Sequence, residues 1–138
     1  TGPRRRPEAV DWVSVLRVLD RRRALAFAAA DPRLLTEVYT AGSPPGRADQ
    51  RLLASYADRR LRVVGLRMAL LDVRLLQASA RHARLRVVDR VAAGVVVTAG
   101  GRRTALPPDR PTTRRIALVR LPSSGWRIAG VRLPRGRR

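Results

Sequence analysis

The chain has 138 residues, with 30 basic and 10 acidic side chains and a formal net charge of +20. Its length fits one domain around a single core, and an apolar content of 45% fits a folded protein, not a disordered tail. The absence of cysteine excludes a disulfide framework, a thiolate metal site and a thiol nucleophile, and the longest uncharged run, residues 91–101, is too short to span a bilayer.

Residues 1–9, TGPRRRPEA, read as a disordered basic linker. The chain opens with Thr1 and not methionine, which fits a trimmed chain whose signal peptide or membrane anchor would stand upstream. Residues 10–31 read as one amphipathic helix. Trp12, Leu16, Leu19, Arg23 and Phe27 form a stripe of helical period, with Val15 and Ala26 beside it. Asp11 is the expected N-cap, and Asp31-Pro32 the stop. Arg23 interrupts the stripe: either its stem packs and its head reaches water, or it is half-buried and needs a carboxylate. Asp20 lies three residues from Arg17 and from Arg23, so local helix pairs are expected to neutralise it.

A short second helix is expected at residues 31–39, a loop at residues 40–46 and a third helix at residues 48–59. That helix turns Leu52, Leu53 and Tyr56 inward, with Asp49 as a cap or first-turn acid. After Arg60 the apolar period changes from helical to alternating. Residues 61–75 alternate in blocks with phase shifts, which one long strand with bulges explains, one of them near Gly65. Residues 78–83 form a turn. A second long strand follows, with Leu85, Val87, Asp89 and Val91 on one face and Arg84, Arg86 and Arg90 on the other. Pairing residues whose numbers sum to about 160 sets Leu75 opposite Leu85, Val73 opposite Val87 and Arg74 opposite Arg86. A basic loop at residues 99–111, a third strand at residues 112–121, a PSSG turn and a fourth strand with a bulge at Gly130 complete residues 10–133 as one domain. Residues 134–138 are a basic tail.

Helices followed by a curved antiparallel sheet of about four long strands is an α+β layout. The opening W-x3-L-x2-LD-x2-RA-x-AFA-x2-D from Trp12 to Asp31, the L-x3-VY-x2-GSP from Leu35 to Pro44, LLASYADR, LRVVDR and the closing GWRIAGVRL carry a resemblance. Together they resemble the nuclear transport factor 2-like superfamily, with the cone-shaped α+β barrel shared by SnoaL-like polyketide cyclases and ketosteroid isomerases. The chain is most similar there to extracytoplasmic accessory domains of actinobacteria, which sit behind a membrane segment and have no known activity. None of these motifs is catalytic. The sequence lacks a short hairpin among its early helices, which shortens one wall of the cone.

Every basic residue is arginine, and lysine and asparagine are absent. This usage points to a GC-rich genome, high-GC actinobacteria being the first expectation, so some arginines stand where lysine would serve. Their charge remains, and a chain this basic is expected to associate with anionic lipid surfaces, wall polymers or, non-specifically, nucleic acid. The expected anion-binding set is Arg74, Arg84, Arg86, Arg90, Arg102, Arg103, Arg114 and Arg115. Aromatic residues do not interleave with them, which argues against base-stacking readers of single strands.

Asp89 sits on an otherwise apolar strand face and must be paired or protonated if buried. It can form a structural ion pair with an arginine such as Arg23 or Arg114, contact a pocket ligand, or act as a base. The last role needs an apolar pocket and a hydroxyl donor, for which Tyr39 and Tyr56 are the candidates. His82 lies among arginines in a turn and reads as solvated. No metal site, phosphate loop, dinucleotide fingerprint or nucleophile elbow is present, and no cofactor is expected. The sequence therefore reads as a non-enzymatic interaction or accessory domain with a protein or anionic partner, extracytoplasmic and membrane-associated in its full-length protein. A cytoplasmic location is the alternative for the compartment, and a small-molecule binding or isomerase/cyclase-like protein for the function. So basic a face is expected to repel its own copy at low salt.

Overall fold

A computed structural model describes residues 9–107 and 109–133; residues 1–8 of the linker expected at residues 1–9, and the tail expected at residues 134–138, lie outside the described residues. The first helix, α1, runs Trp12–Ala29. The Asp11 carboxylate accepts from the Ser14 amide at 3.1 Å and from its hydroxyl at 2.8 Å, which satisfies an N–H that has no partner within the helix. Ala30 closes the helix in the left-handed conformation. Its buried stripe is Leu16, Leu19, Ala26 and Phe27.

The expected second helix is a tighter 3-10 turn, Pro32–Glu37. The next helix, α2, runs Pro44–Asp58 and so begins earlier than its apolar spacing suggests. Ser43 accepts from the Gly46 amide as N-cap, and the two prolines occupy the first turn, where no N–H is needed. A side chain at Gly46 would have its Cβ 2.9 Å from the Cβ of Tyr39, so only glycine lets α2 start this close to the preceding segment.

Five strands form one antiparallel sheet: β1 Arg62–Ala78, β2 His82–Val97, β3 Arg103–Ala105, β4 Thr112–Leu121 and β5 Gly125–Arg132. The order is β1-β2-β4-β5, with β3 on the far end of β2. The short β3 corrects the expectation of an unstructured loop across residues 99–111. The β1–β2 register includes Val73 opposite Val87, Arg74 opposite Arg86 and Leu75 opposite Leu85. Gly65 has φ +65 at the first register shift, where one extra residue enters β1 and the backbone leaves the range that side chains favour. Because β1 and β5 do not pair, the sheet is open and not a closed barrel.

The core lies between the helices and the inner sheet face. Leu19, Leu35, Leu53, Leu85 and Leu118 are its large, fully buried members. Trp12 at the start of α1 meets Trp126 edge to face, with ring centroids 5.0 Å apart. The Leu85→Ala substitution, which empties a site between β1 and β4, is expected to lower the unfolding free energy by about 3 kcal/mol in urea titration. A change below about 1 kcal/mol would mean that this layer is not tightly packed.

Candidate functional site

The helix-facing side of the sheet holds two separate carboxylate arrangements. In the first, Arg23 Nε donates to Asp49 Oδ2 at 2.6 Å and its Nη2 to Oδ1 at 3.2 Å. The Tyr39 hydroxyl donates to the same Oδ2 at 2.5 Å, and the Arg23 guanidinium lies 4.5 Å over the Phe27 ring. Burial pulls the Arg23 pKa down, but the Asp49 hydrogen bonds and charge outweigh it and hold the guanidinium protonated. Burial also raises the Tyr39 pKa, against the opposing charge of Arg23 and with that of Asp49. This network ties α1 to α2 and to the segment between them. It corrects the expected pair of Arg23 with Asp89, and Asp49 is a buried partner and not a cap.

Asp89, 6% exposed on β2, meets Arg114 Nη2 at 3.3 Å instead. Burial raises its pKa, while Arg114 and Arg23 oppose that rise. Arg114 is therefore turned to the helix side and is not on the outer face with Arg115. Tyr56 packs edge to face on Phe27, and Tyr39 is committed to Asp49. Asp89, Tyr39 and Tyr56 are thus not assembled as base and donors.

A groove of about 810 Å3 opens between α1 and β1, lined by Leu25, Leu66, Met68 and Leu70 with Arg67, Arg90 and Asp20 at its sides. The expected neutralisation of Asp20 by Arg17 and Arg23 is not found: no ion pair joins them among the described residues. Burial, then the charge of Asp89, pushes its pKa up to about 6. Its burial depends on where β1 bends under α1, which the helical spacing alone does not contain. The groove has no tyrosine, serine or histidine in its lining. Among the described residues, no group of histidine, cysteine, aspartate and glutamate could hold a metal.

The outer sheet face presents a different arrangement. Arg74 pairs with Arg86, Arg86 with Arg115, and Arg115 with Arg132. Four arginines therefore stand in one row across β1, β2, β4 and β5, and all four are exposed. At ~4.8 Å per strand the row is about 14 Å long. Like charges directly opposite each other on a sheet destabilise it. Asp72 reaches Arg74 at 3.3 Å, while Arg86, Arg115 and Arg132 have no carboxylate within ion-pair distance among the described residues. Arg84 lies one step along the same face of β2. Arg90 belongs to the groove, and Arg102 and Arg103 lie at the β2–β3 end, away from the row. The eight arginines expected to act together are therefore divided. Arg132 was missed, because its phase depends on the β5 irregularity opposite Ala117 and Leu118.

No protein-family model matches the chain, and no curated protein matches it. Solved structures do. The chain is similar to the intermembrane space region of the chloroplast protein ARC6, at 17% identity and TM-score 0.62, over 92% of this chain and 98% of that one. It is similar to Aln2 from a Streptomyces species, at 16% identity and TM-score 0.54, over 89% and 90% of the two chains. A nuclear transport factor 2-like superfamily protein from Salmonella enterica matches at 12% identity and TM-score 0.51, over 89% and 91%. At these identities the likeness shows the fold: the chain has the nuclear transport factor 2-like fold.

Two measurements follow from the carboxylates. Asp49→Ala leaves the Arg23 guanidinium and the Tyr39 hydroxyl unpaired, and is expected to cost about 3 kcal/mol in chemical denaturation; a loss no larger than that of an exposed Asp58→Ala control would refute the network's role. Asp20, with its pKa raised above the ordinary value of 3.8, contributes stability that is fully present below that value and is lost as pH rises through about 6. Asp20→Asn is therefore expected to raise stability over the parent chain at pH 8 by about 1 kcal/mol, discounted for solvent screening, and to lose that advantage by about pH 4. A pH-independent difference would remove the assigned burial.

Proposed function

We propose that this is a non-enzymatic interaction domain that engages a polyanionic partner through the outer sheet face. The observation that carries the reading is the transverse arginine row. A direct cross-strand alignment of four guanidinium groups is unfavourable for the isolated sheet and suits a partner that supplies negative charge in a line. The inner face argues in the same direction: Asp49 and Tyr39 are engaged with one another and Arg23, Tyr56 packs on Phe27, Asp89 faces Arg114, and the groove beside Asp20 has no hydroxyl donor in its lining.

The domain acts outside a membrane, as part of an anchored extracytoplasmic protein. Likeness to a region named for an intermembrane space supports this reading. Among the described residues no helix is long and apolar enough to cross a membrane, so an anchor would be supplied by another segment. A second reading, small-molecule binding, is favoured by the groove beside Asp20.

The test is binding to short duplex DNA, to phosphatidylglycerol vesicles and to a phosphate-rich wall polymer across a salt series. Binding through about four phosphate contacts predicts a slope of log K against log salt of roughly −3 to −4 on the duplex. The double substitution Arg86→Glu/Arg115→Glu is expected to weaken the preferred polyanion roughly 30-fold or more. Arg47→Glu/Arg51→Glu makes the same change in net charge on α2 and is expected to act several-fold less. Equal losses from the two pairs would show that net charge alone matters and would sink the proposed face.

A further inference from the structure

The two outer strands of the sheet differ. The free side of β5 is engaged at its middle: Ile128 donates to the Val38 carbonyl at 2.8 Å, and Thr40 donates to the Ile128 carbonyl at 2.9 Å. The free side of β1 has no strand on it among the described residues. An open edge of this kind is a template for another chain, and proteins commonly guard it with charged residues or bulges. β1 does carry bulges, but its extra residues beyond Leu70 and Leu75 are Leu71 and Leu76. Leu71, Leu75 and Leu76 are 51%, 50% and 48% exposed. The arginine row ends on this strand, at Arg74.

We propose that the edge of β1 takes up a short extended segment of an acidic partner protein as an added strand, about four residues long, along Asp72 to Leu75. The inference rests on the anion-binding reading of the outer face and names the partner's chemistry. Strand geometry dictates the pattern. Residues opposite each other on paired strands share a face, and neighbours along a strand alternate. A residue placed opposite Arg74 therefore lies on the outer face and continues the row, where a glutamate or aspartate would share the guanidinium with Asp72, 3.3 Å away on the same face, while the residue opposite Asp72 itself must carry no negative charge. Its neighbours lie on the other face, beside Val73 and Leu75, where apolar side chains would cover exposed leucine. The two bulges bound the regular stretch and set the short length. Main-chain hydrogen bonds would supply affinity and the alternating side chains specificity. A nucleic acid or wall polymer offers no apolar groups for the leucines. A second copy of so basic a chain would bring arginine against arginine.

The probe is an eight-residue blocked peptide in which valine alternates with a polar residue, one central glutamate for Arg74 and threonine at the other polar positions so that no acid faces Asp72, titrated against the whole chain at physiological salt. The controls are a peptide of the same composition in two blocks, and the alternating peptide N-methylated at every second residue in either phase. The alternating peptide is expected to bind at least ten-fold more tightly than the block peptide, and methylation in one phase to abolish the difference. Leu75→Ser/Leu76→Ser, at exposed positions, is expected to weaken the peptide about ten-fold while leaving duplex DNA binding unchanged. Equal binding of the alternating, block and methylated peptides overturns strand addition. If duplex DNA binding then still depends on Arg86 and Arg115, the anion-binding reading survives that failure. If nothing binds at physiological salt, both fall. A dimer of the chain that the leucine variant dissolves would also overturn the proposal, by giving the edge to a second copy.

Discussion

The contact on which the arrangement of helices depends is the Arg23–Asp49 pair. It joins residues 26 positions apart on two helices, beside the edge-to-face contact of Phe27 on α1 with Tyr56 on α2. Both its oxygens are used by Arg23, and one also accepts from Tyr39. A half-buried guanidinium on the apolar stripe of α1 would be costly alone. Paired side-on with a carboxylate and laid over Phe27, it becomes the joint that sets α2 and the preceding 3-10 turn against α1. The close approach at Gly46 brings Tyr39 to the same joint. With the helices so placed, their apolar stripes cover Leu85, Val87 and Leu118, and the other sheet face is left to water and to arginine.

That division of the sheet leaves each inner carboxylate in a setting of its own. Asp89 is turned to Arg114, and Asp49 to Arg23 and Tyr39. Asp20 alone borders an open groove with a raised pKa, and no hydroxyl donor lines that groove with it. A perturbed carboxylate is a functional-site signal only when a complementary group meets it. The outer face has the opposite character: its charges are exposed, aligned by backbone pairing and largely without carboxylates. The repulsion is small for any one pair, and under the proposed function an anion lying across the row would relieve all of it together.

Much of the sheet was legible in the sequence because few alternatives satisfied its pattern. Setting Val73 opposite Val87 is the phase that keeps both apolar faces on one side, and a slip of one residue would expose them all. Gly65 coincided with a phase shift, so its bulge could be read. The start of α2 was hidden because SPPG has the composition of a loop, although serine as cap and proline in the first turn are also helix-start chemistry. The inward turn of Arg114 was available in principle: it shares the alternation of Ile116 and Leu118. The partner of Arg23 was not available, because sequence logic does not separate Asp89 from Asp49 and only the packing of α2 decides between them. Arg132 needed the β5 irregularity before it could be placed in the row.

The most direct test of the row is to observe arginine side chains individually, by following the Nε–H resonances of the 15N-labelled protein as a polyanion such as short duplex DNA is added at physiological salt. The account predicts that Arg74, Arg86, Arg115 and Arg132 shift together at one saturating concentration, while the half-buried Arg23, held by Asp49, and the buried Arg127 of β5, which donates to Glu37 Oε2 at 3.0 Å, hold still. Shifts spread evenly over the exposed arginines, or concentrated at Arg47 and Arg51 on α2, would contradict it.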